Sequence, residues 1–208
     1  MNIPVLLTSL LLLSTSVTAQ DARRFQQTIE PHGDTIELQI SVGQLQVLAS
    51  DDDKVHLDVM VEADPESDGW RLFASTPDLS DLELTSKTHK QRLLLELNKQ
   101  KDIKQQWTLY LPKSQSLTVE MGVGEAEIGG VVDDLRVDLG VGTVRVDAEH
   151  SDYSELDLVA GVGDVRVDRA FPGTSSRHMV GEEFSYQGQG DSIVSVKVGV
   201  GSVRVEAR

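Results

Sequence analysis

The chain has 208 residues, with 34 Asp and Glu against 19 Lys and Arg, a formal net charge of −15 and no cysteine. That length can bury a core within one domain. The charge argues against nucleic acid, whose phosphates need a basic face, and against docking on anionic lipid; the missing cysteine excludes disulfides, thiolate metal sites and a cysteine nucleophile.

Residues 1–19 read as a secretory signal peptide. Val5 to Leu13 is a short apolar stretch broken by Thr8 and Ser9, and Val17 and Ala19 are small residues at −3 and −1 of a cut after Ala19. The stretch is short of the roughly 20 residues a spanning helix needs. The n-region has no Lys or Arg, which keeps an uncleaved N-terminal anchor open as the other reading. No later stretch reaches spanning length. The expected product is an exported protein of the periplasm, cell surface or medium.

Residues 20–115 read as an irregular β-layer. Strands are expected at Thr35–Ile40, Gln44–Leu48, Lys54–Val61, Arg71–Ala74, Asp81–Thr85, Arg92–Leu97 and Gln106–Leu111, separated by turn chemistry such as Asp51-Asp52-Asp53. This layer is expected to cap the exposed strand edge of the C-terminal half.

Residues 116–208 repeat. Gly-Val-Gly recurs at 122–124, 140–142, 161–163 and 199–201, each followed by alternating apolar and polar residues. The second glycines, Gly124, Gly142, Gly163 and Gly201, are 18, 21 and 38 residues apart. The last interval predicts a degenerate copy near Gly181, within Met179–Tyr186. Ser41-Val42-Gly43 is a further echo. Before each corner the pattern has period two, as in Leu135, Val137 and Leu139; after it Val144 and Val146 alternate with Arg145 and Asp147. Gly122, Gly124, Gly140, Gly142, Gly161, Gly163, Gly199 and Gly201 are the expected structural corners.

A meander of hairpins and a β-solenoid both fit a strand-corner-strand unit. The solenoid is favoured, because only stacked coils require successive corners to share sequence. The fold expected is all-β: a single-stranded, β-helix-like solenoid on an irregular N-terminal layer. Val144, Val165 and Val203 should form one inward ladder, and Ile128, Val146, Val167 and Val205 another.

Trp107-Thr108-Leu109-Tyr110-Leu111-Pro112, then Ser116-Leu117-Thr118-Val119-Glu120, then the repeated Gly-Val-Gly-x-Val-x-Val resembles the bacterial putative adhesin domain family, which overlaps with the head domain of autotransporter adhesins. The resemblance implies a β-solenoid-like fold and an exported or envelope-associated protein. This chain carries Val123, Val141, Val162 and Val200 where many members carry Ser or Thr.

Catalytic, cofactor and metal residues are not singled out. His32, His56, His89, His150 and His178 are scattered, and neither His-Glu-x-x-His nor Gly-x-Ser-x-Gly occurs. Calcium is the expectation kept open, through Asp51-Asp52-Asp53, Asp133-Asp134 or the faint nonapeptide echo at Ala160–Asp168. The patterned surface is a charged ladder of Arg145, Arg166 and Arg204, with Asp147 and Asp168 two residues on. It reads either as a solubilising mixed-sign ladder or as an interaction face for an envelope protein or surface glycan. The function expected is a non-enzymatic envelope binding or structural module. The alternative is a calcium-dependent or polysaccharide-active protein on the same scaffold.

Overall fold

The computed structural model describes residues 22–31, 33, 35–64, 78–130, 133–149 and 151–207. The expected signal peptide and the strand expected at Arg71–Ala74 lie outside them. The described residues contain strands and no helix. In chain order the strands are β1 (Ala22–Ile29), β2 (Thr35–Ala49), β3 (Val55–Ala63), β4 (Leu84–His89), β5 (Arg92–Leu97), β6 (Ile103–Leu111), β7 (Ser116–Gly129), β8 (Leu135–Ala148), β9 (Tyr153–Val167), β10 (Thr174–Arg177), β11 (Glu182–Gln187) and β12 (Ser192–Ala207). They form one mixed sheet.

Its centre is a stack of five long parallel strands in the order β2, β7, β8, β12, β9. Each changes its buried parity half-way. In β2, Ile36, Leu38 and Ile40 are buried, then Leu45 and Val47. A strict period of two would not bury both sets; the buried parity changes across Ser41–Gln44, and both sets belong to one apolar cluster. Registers match residue for residue, so Gly43, Gly124, Gly142, Gly201 and Gly163 lie side by side. Gly142 (φ +145°) and Gly201 (φ +144°) show why glycine is required. A Cβ on Gly201 would stand 1.7 Å from the carbonyl oxygen of Gly142, in a backbone conformation that L side chains rarely adopt.

The interior is made of columns. Across the five strands, Leu45, Ala126, Val144, Val203 and Val165 form one, and Val47, Ile128, Val146, Val205 and Val167 another. Most of these side chains are fully buried and belong to a single apolar cluster. Each buried valine contributes on the order of 1.5 kcal/mol. Leu117 N donates to Asp134 O at 2.8 Å, so the short link after β7 brings the chain back to the start of the strand it has just left.

β5 and β6 together make a sixth rung beside β2. Leu93 and Leu95 pair with Ile36 and Leu38, and Trp107 and Leu109 with Leu45 and Val47, all parallel. Here Asn98–Asp102 stands where β7, β8, β12 and β9 carry Gly-Val-Gly. Gln100 bonds across to β2: its Oε1 accepts from Ser41 N at 2.8 Å, its backbone oxygen from Ser41 Oγ at 2.6 Å, and its Nε2 donates to Gln39 O at 3.2 Å. Buried Trp107 Nε1 donates to Gln105 Oε1 at 2.9 Å. The layer expected to cap the stack thus supplies a rung of it. Antiparallel strands continue the sheet beyond both ends: β3 and β1 outside β6, β4 beside β5, β11 and β10 outside β9.

Two expectations are corrected. The inward ladder does not run in chain order: β12 inserts between β8 and β9, giving Val144, Val203, Val165. The copy expected around Gly181 is not a parallel rung. Glu182–Gln187 runs antiparallel to β9 as half of a hairpin with β10. That hairpin carries the chain past β9, and β12 then returns to the inner side. In the N-terminal part, Thr35–Ile40 and Gln44–Leu48 are arms of the single strand β2, and β1 and β10 had no counterpart in the sequence pattern.

Candidate functional site

The second arms of β7, β8, β12 and β9 present alternate residues outward, because Ala126, Val144, Val203 and Val165 point in. Three outward columns result. Glu125, Thr143, Ser202 and Asp164 form the first; Glu127, Arg145, Arg204 and Arg166 the second; Asp147 and Glu206 the third. Asp168 extends the third, with its N–H bonded to Val205 O at 2.9 Å. The structure therefore gathers Arg145, Arg166, Arg204, Asp147 and Asp168 on one flank. The order within it is Arg145, Arg204, Arg166.

Arg145 Nη1 bonds Glu127 Oε1 at 2.6 Å, and Arg166 Nε bonds Asp164 Oδ2 at 3.0 Å. Among the described residues Arg204 has no carboxylate within ion-pair distance. Thr143 Oγ1 and Ser202 Oγ are 3.3 Å apart. A shallow depression of about 400 Å³ lies over this flank, lined by Gln46, Glu127, Arg145, Asp147 and Glu206 among others. It is open and polar, with no aromatic ring in its wall.

The acidic turns are occupied by the protein itself. Asp52 Oδ1 accepts from Ser50 Oγ at 2.9 Å and Lys54 N at 3.0 Å, and lies 2.9 Å from His56 Nε2. The His56 hydrogen bond, then those of Lys54 N and Ser50, hold its carboxyl below the usual range. Asp134 Oδ1 accepts from Ile193 N at 2.8 Å, tying the start of β12 to the link before β8. Among the described residues no group of three or more His, Asp or Glu side chains is placed to hold a metal ion.

Thr28 Oγ1 lies 3.1 Å from Nδ1 of His56, completing a hydroxyl–imidazole–carboxylate chain with Asp52. It sits exposed on the β1–β3 edge. A hydroxyl gains from a nearby base when donors also stabilise the developing oxyanion. The bonds here are those of a cross-strand pair and a turn.

Residues 26–168 match the family described as the N-terminal domain of toast_rack, DUF2154. The chain belongs to that family. A comparison with curated proteins finds no match. Among solved structures, this toast_rack domain is similar to a protein described as a putative cell adhesion protein from Clostridium sporogenes, at 14% identity, covering 90% of this chain and 100% of that one with a TM-score of 0.55. It also matches a putative adhesin from Bacteroides fragilis, at 11% identity over 88% and 97% of the two chains with a TM-score of 0.28. The Clostridium structure shares the toast_rack fold. Among the described residues no helix is long and apolar enough to cross a membrane.

Proposed function

We propose that this toast_rack domain is a non-enzymatic, exported binding module of the cell envelope. In this reading the long strands are coils of a β-solenoid with Gly-Val-Gly corners, and the domain docks a protein partner through the flank carrying Arg145, Arg204 and Arg166.

The observation that carries the reading is Arg204. A ladder built only for solubility would alternate signs between strands, since like charges on neighbouring strands repel. Here three arginines stand on adjacent strands, with the outer two paired to acids and the central one, among the described residues, without a carboxylate in ion-pair distance. Arginine with adjacent carboxylates suits a charged protein surface, and guanidinium is the cation best matched to carboxylates across an interface. A glycan is less favoured, because the flank offers no aromatic ring for a sugar face and Trp107 is only 1% exposed. Export rests on the apolar N-terminal segment.

The test is photo-crosslinking in the native cell, with the reactive residue placed at Arg204 or, as a control, at Arg136 on the outer side of the first arm. A discrete protein adduct from position 204, absent from position 136, supports the reading. Equal labelling from both positions, or none from 204, contradicts it.

A further inference from the structure

We infer that the partner of the arginine flank is a net-basic, extended protein segment that gives one carboxylate to Arg204 and one basic side chain to Asp147 and Glu206. The inference rests on the docking role proposed above and names the chemistry of what docks.

Two like-charged columns run side by side on this flank, Arg145, Arg204 and Arg166 in one, Asp147 and Glu206 in the next. Like charges on neighbouring strands repel, so each column costs the isolated domain stability. The fold uses a device that relieves such repulsion, an ion pair between residues two apart on one strand. Arg136 Nε bonds Asp138 Oδ2 at 3.1 Å, and Arg166 Nε bonds Asp164 Oδ2 at 3.0 Å. Arg204 and Glu206 have the same spacing on β12 and do not pair. Among the described residues no carboxylate lies within ion-pair distance of Arg204, and no lysine or arginine within that distance of Asp147 or Glu206. One cation and two adjacent anions therefore face outward with their charges unmatched.

Charge chooses the kind of partner. Six carboxylates, those of Glu125, Glu127, Asp164, Asp147, Glu206 and Asp168, surround the three guanidinium groups, and the whole chain carries −15. A uniformly acidic partner is repelled by that field, whereas a net-basic one is steered in. A partner with basic groups alone would set a like charge against Arg204, so the segment carries an acid among its bases.

Spacing chooses its conformation. Arg204 and Glu206 are two residues apart on one strand face, about 6.6 Å. An extended segment presents its own alternate side chains at that interval, so an acid and a base two residues apart meet both groups at once. Asp147 and Glu206 line the shallow depression together with Gln46. The basic side chain lies there, where the Gln46 amide oxygen adds a further acceptor.

The experiment is photo-crosslinking in the native cell with the reactive residue at Ser202, beside Arg204 on the outer face, which leaves every charged group in place. Wild type is expected to give a discrete protein adduct. Asp147→Asn with Glu206→Gln should lower its yield about fivefold or more, the scale of two surface ion pairs lost together. Glu37→Gln with Glu120→Gln, the same change in net charge on the outer side of the first arm, should leave the yield unchanged. Arg204→Glu with Glu206→Arg keeps the net charge but exchanges the two signs, and should lower the yield as much as the neutralised pair does. If the exchange impairs folding, Glu206→Gln alone moves the yield in the same direction. A yield that rises when Asp147 and Glu206 are neutralised would mean an acidic partner held by the arginines alone; it would overturn this inference and leave the docking role standing. Yields indifferent to these substitutions, or lowered equally by the Glu37 and Glu120 changes, would overturn it in the same way. No adduct from wild type would overturn both.

Discussion

Gly201 packs against Gly142 so closely that a Cβ on it would fall 1.7 Å from the Gly142 carbonyl oxygen. The two glycines are far apart in the chain, on strands that run parallel with Val203 beside Val144 and Arg204 beside Arg145. The glycine thus admits a neighbouring backbone where a side chain would otherwise stand. Glycine is needed there for conformation and for space at once.

Gly142→Ala and Gly201→Ala should therefore each cost about 3 kcal/mol or more, since the clash is with rigid backbone and the φ is positive. For a domain of this size that lowers Tm by roughly 6–12 °C. Thermal melts followed by circular dichroism check it. A loss of no more than a degree or two would show that these glycine positions have room.

β12 fills the gap between β8 and β9, so its removal leaves two inward strand edges unpaired at once. A chain ending at Gln187 should lack a cooperative melt and aggregate through those edges. A peptide spanning Ser192–Ala207, added in trans, should restore a cooperative transition. A truncated chain that melts like wild type would contradict the insertion of β12.

Much of this was legible in the residues. Alternation around Leu135, Val137 and Leu139, and its change of parity across Gly140–Gly142, marks a strand whose buried set shifts at the glycines. The rung order was not legible, because Val203 and Val165 follow the same motif and either fits beside Val144 equally well. The rung of β5 and β6 was hidden for a different reason. Gln100 accepts from Ser41 N and Ser41 Oγ where the neighbouring strands carry glycines, so no Gly-Val-Gly marks it. The arginine flank was readable from spacing alone, whereas the lack of an ion partner for Arg204 among the described residues depends on which strand lies next to which.

Glu182 Oε1 accepts from Ser175 Oγ at 2.8 Å, and its Oε2 from Val165 N at 3.2 Å. These bonds, Ser175 first, hold its carboxyl below the ordinary value. A depressed carboxylate stabilises the fold fully above the unfolded pKa, about 4.3, and loses that contribution as pH falls through the lower folded value. Wild type should therefore be more stable than Glu182→Gln at neutral pH, and the two should converge in strong acid. Melts of both proteins between neutral and strongly acidic pH test this; a gap that widens on acidification would contradict it.

Replacing Arg145, Arg166 and Arg204 together by serine should scarcely change stability. The pairs with Glu127 and Asp164 are largely exposed and each contributes at most about 1 kcal/mol, while adjacent guanidinium groups repel. The expected change in Tm is within about 4 °C, together with loss of the crosslinked adduct. A large fall in Tm would instead assign the ladder to holding the strands together.

The account depends most on β12 lying next to β8, with Ser202 beside Thr143. Their hydroxyl oxygens are 3.3 Å apart, and the chain has no native cysteine. Thr143→Cys with Ser202→Cys should form an intramolecular disulfide under mild oxidation. Thr143→Cys with Asp164→Cys should not, because β12 separates these strands by two spacings, about 9.6 Å, beyond the roughly 7 Å a disulfide can bridge. The opposite pattern, crosslinking of 143 to 164 and not to 202, would mean that the strands stack in chain order and would contradict the structure at its centre.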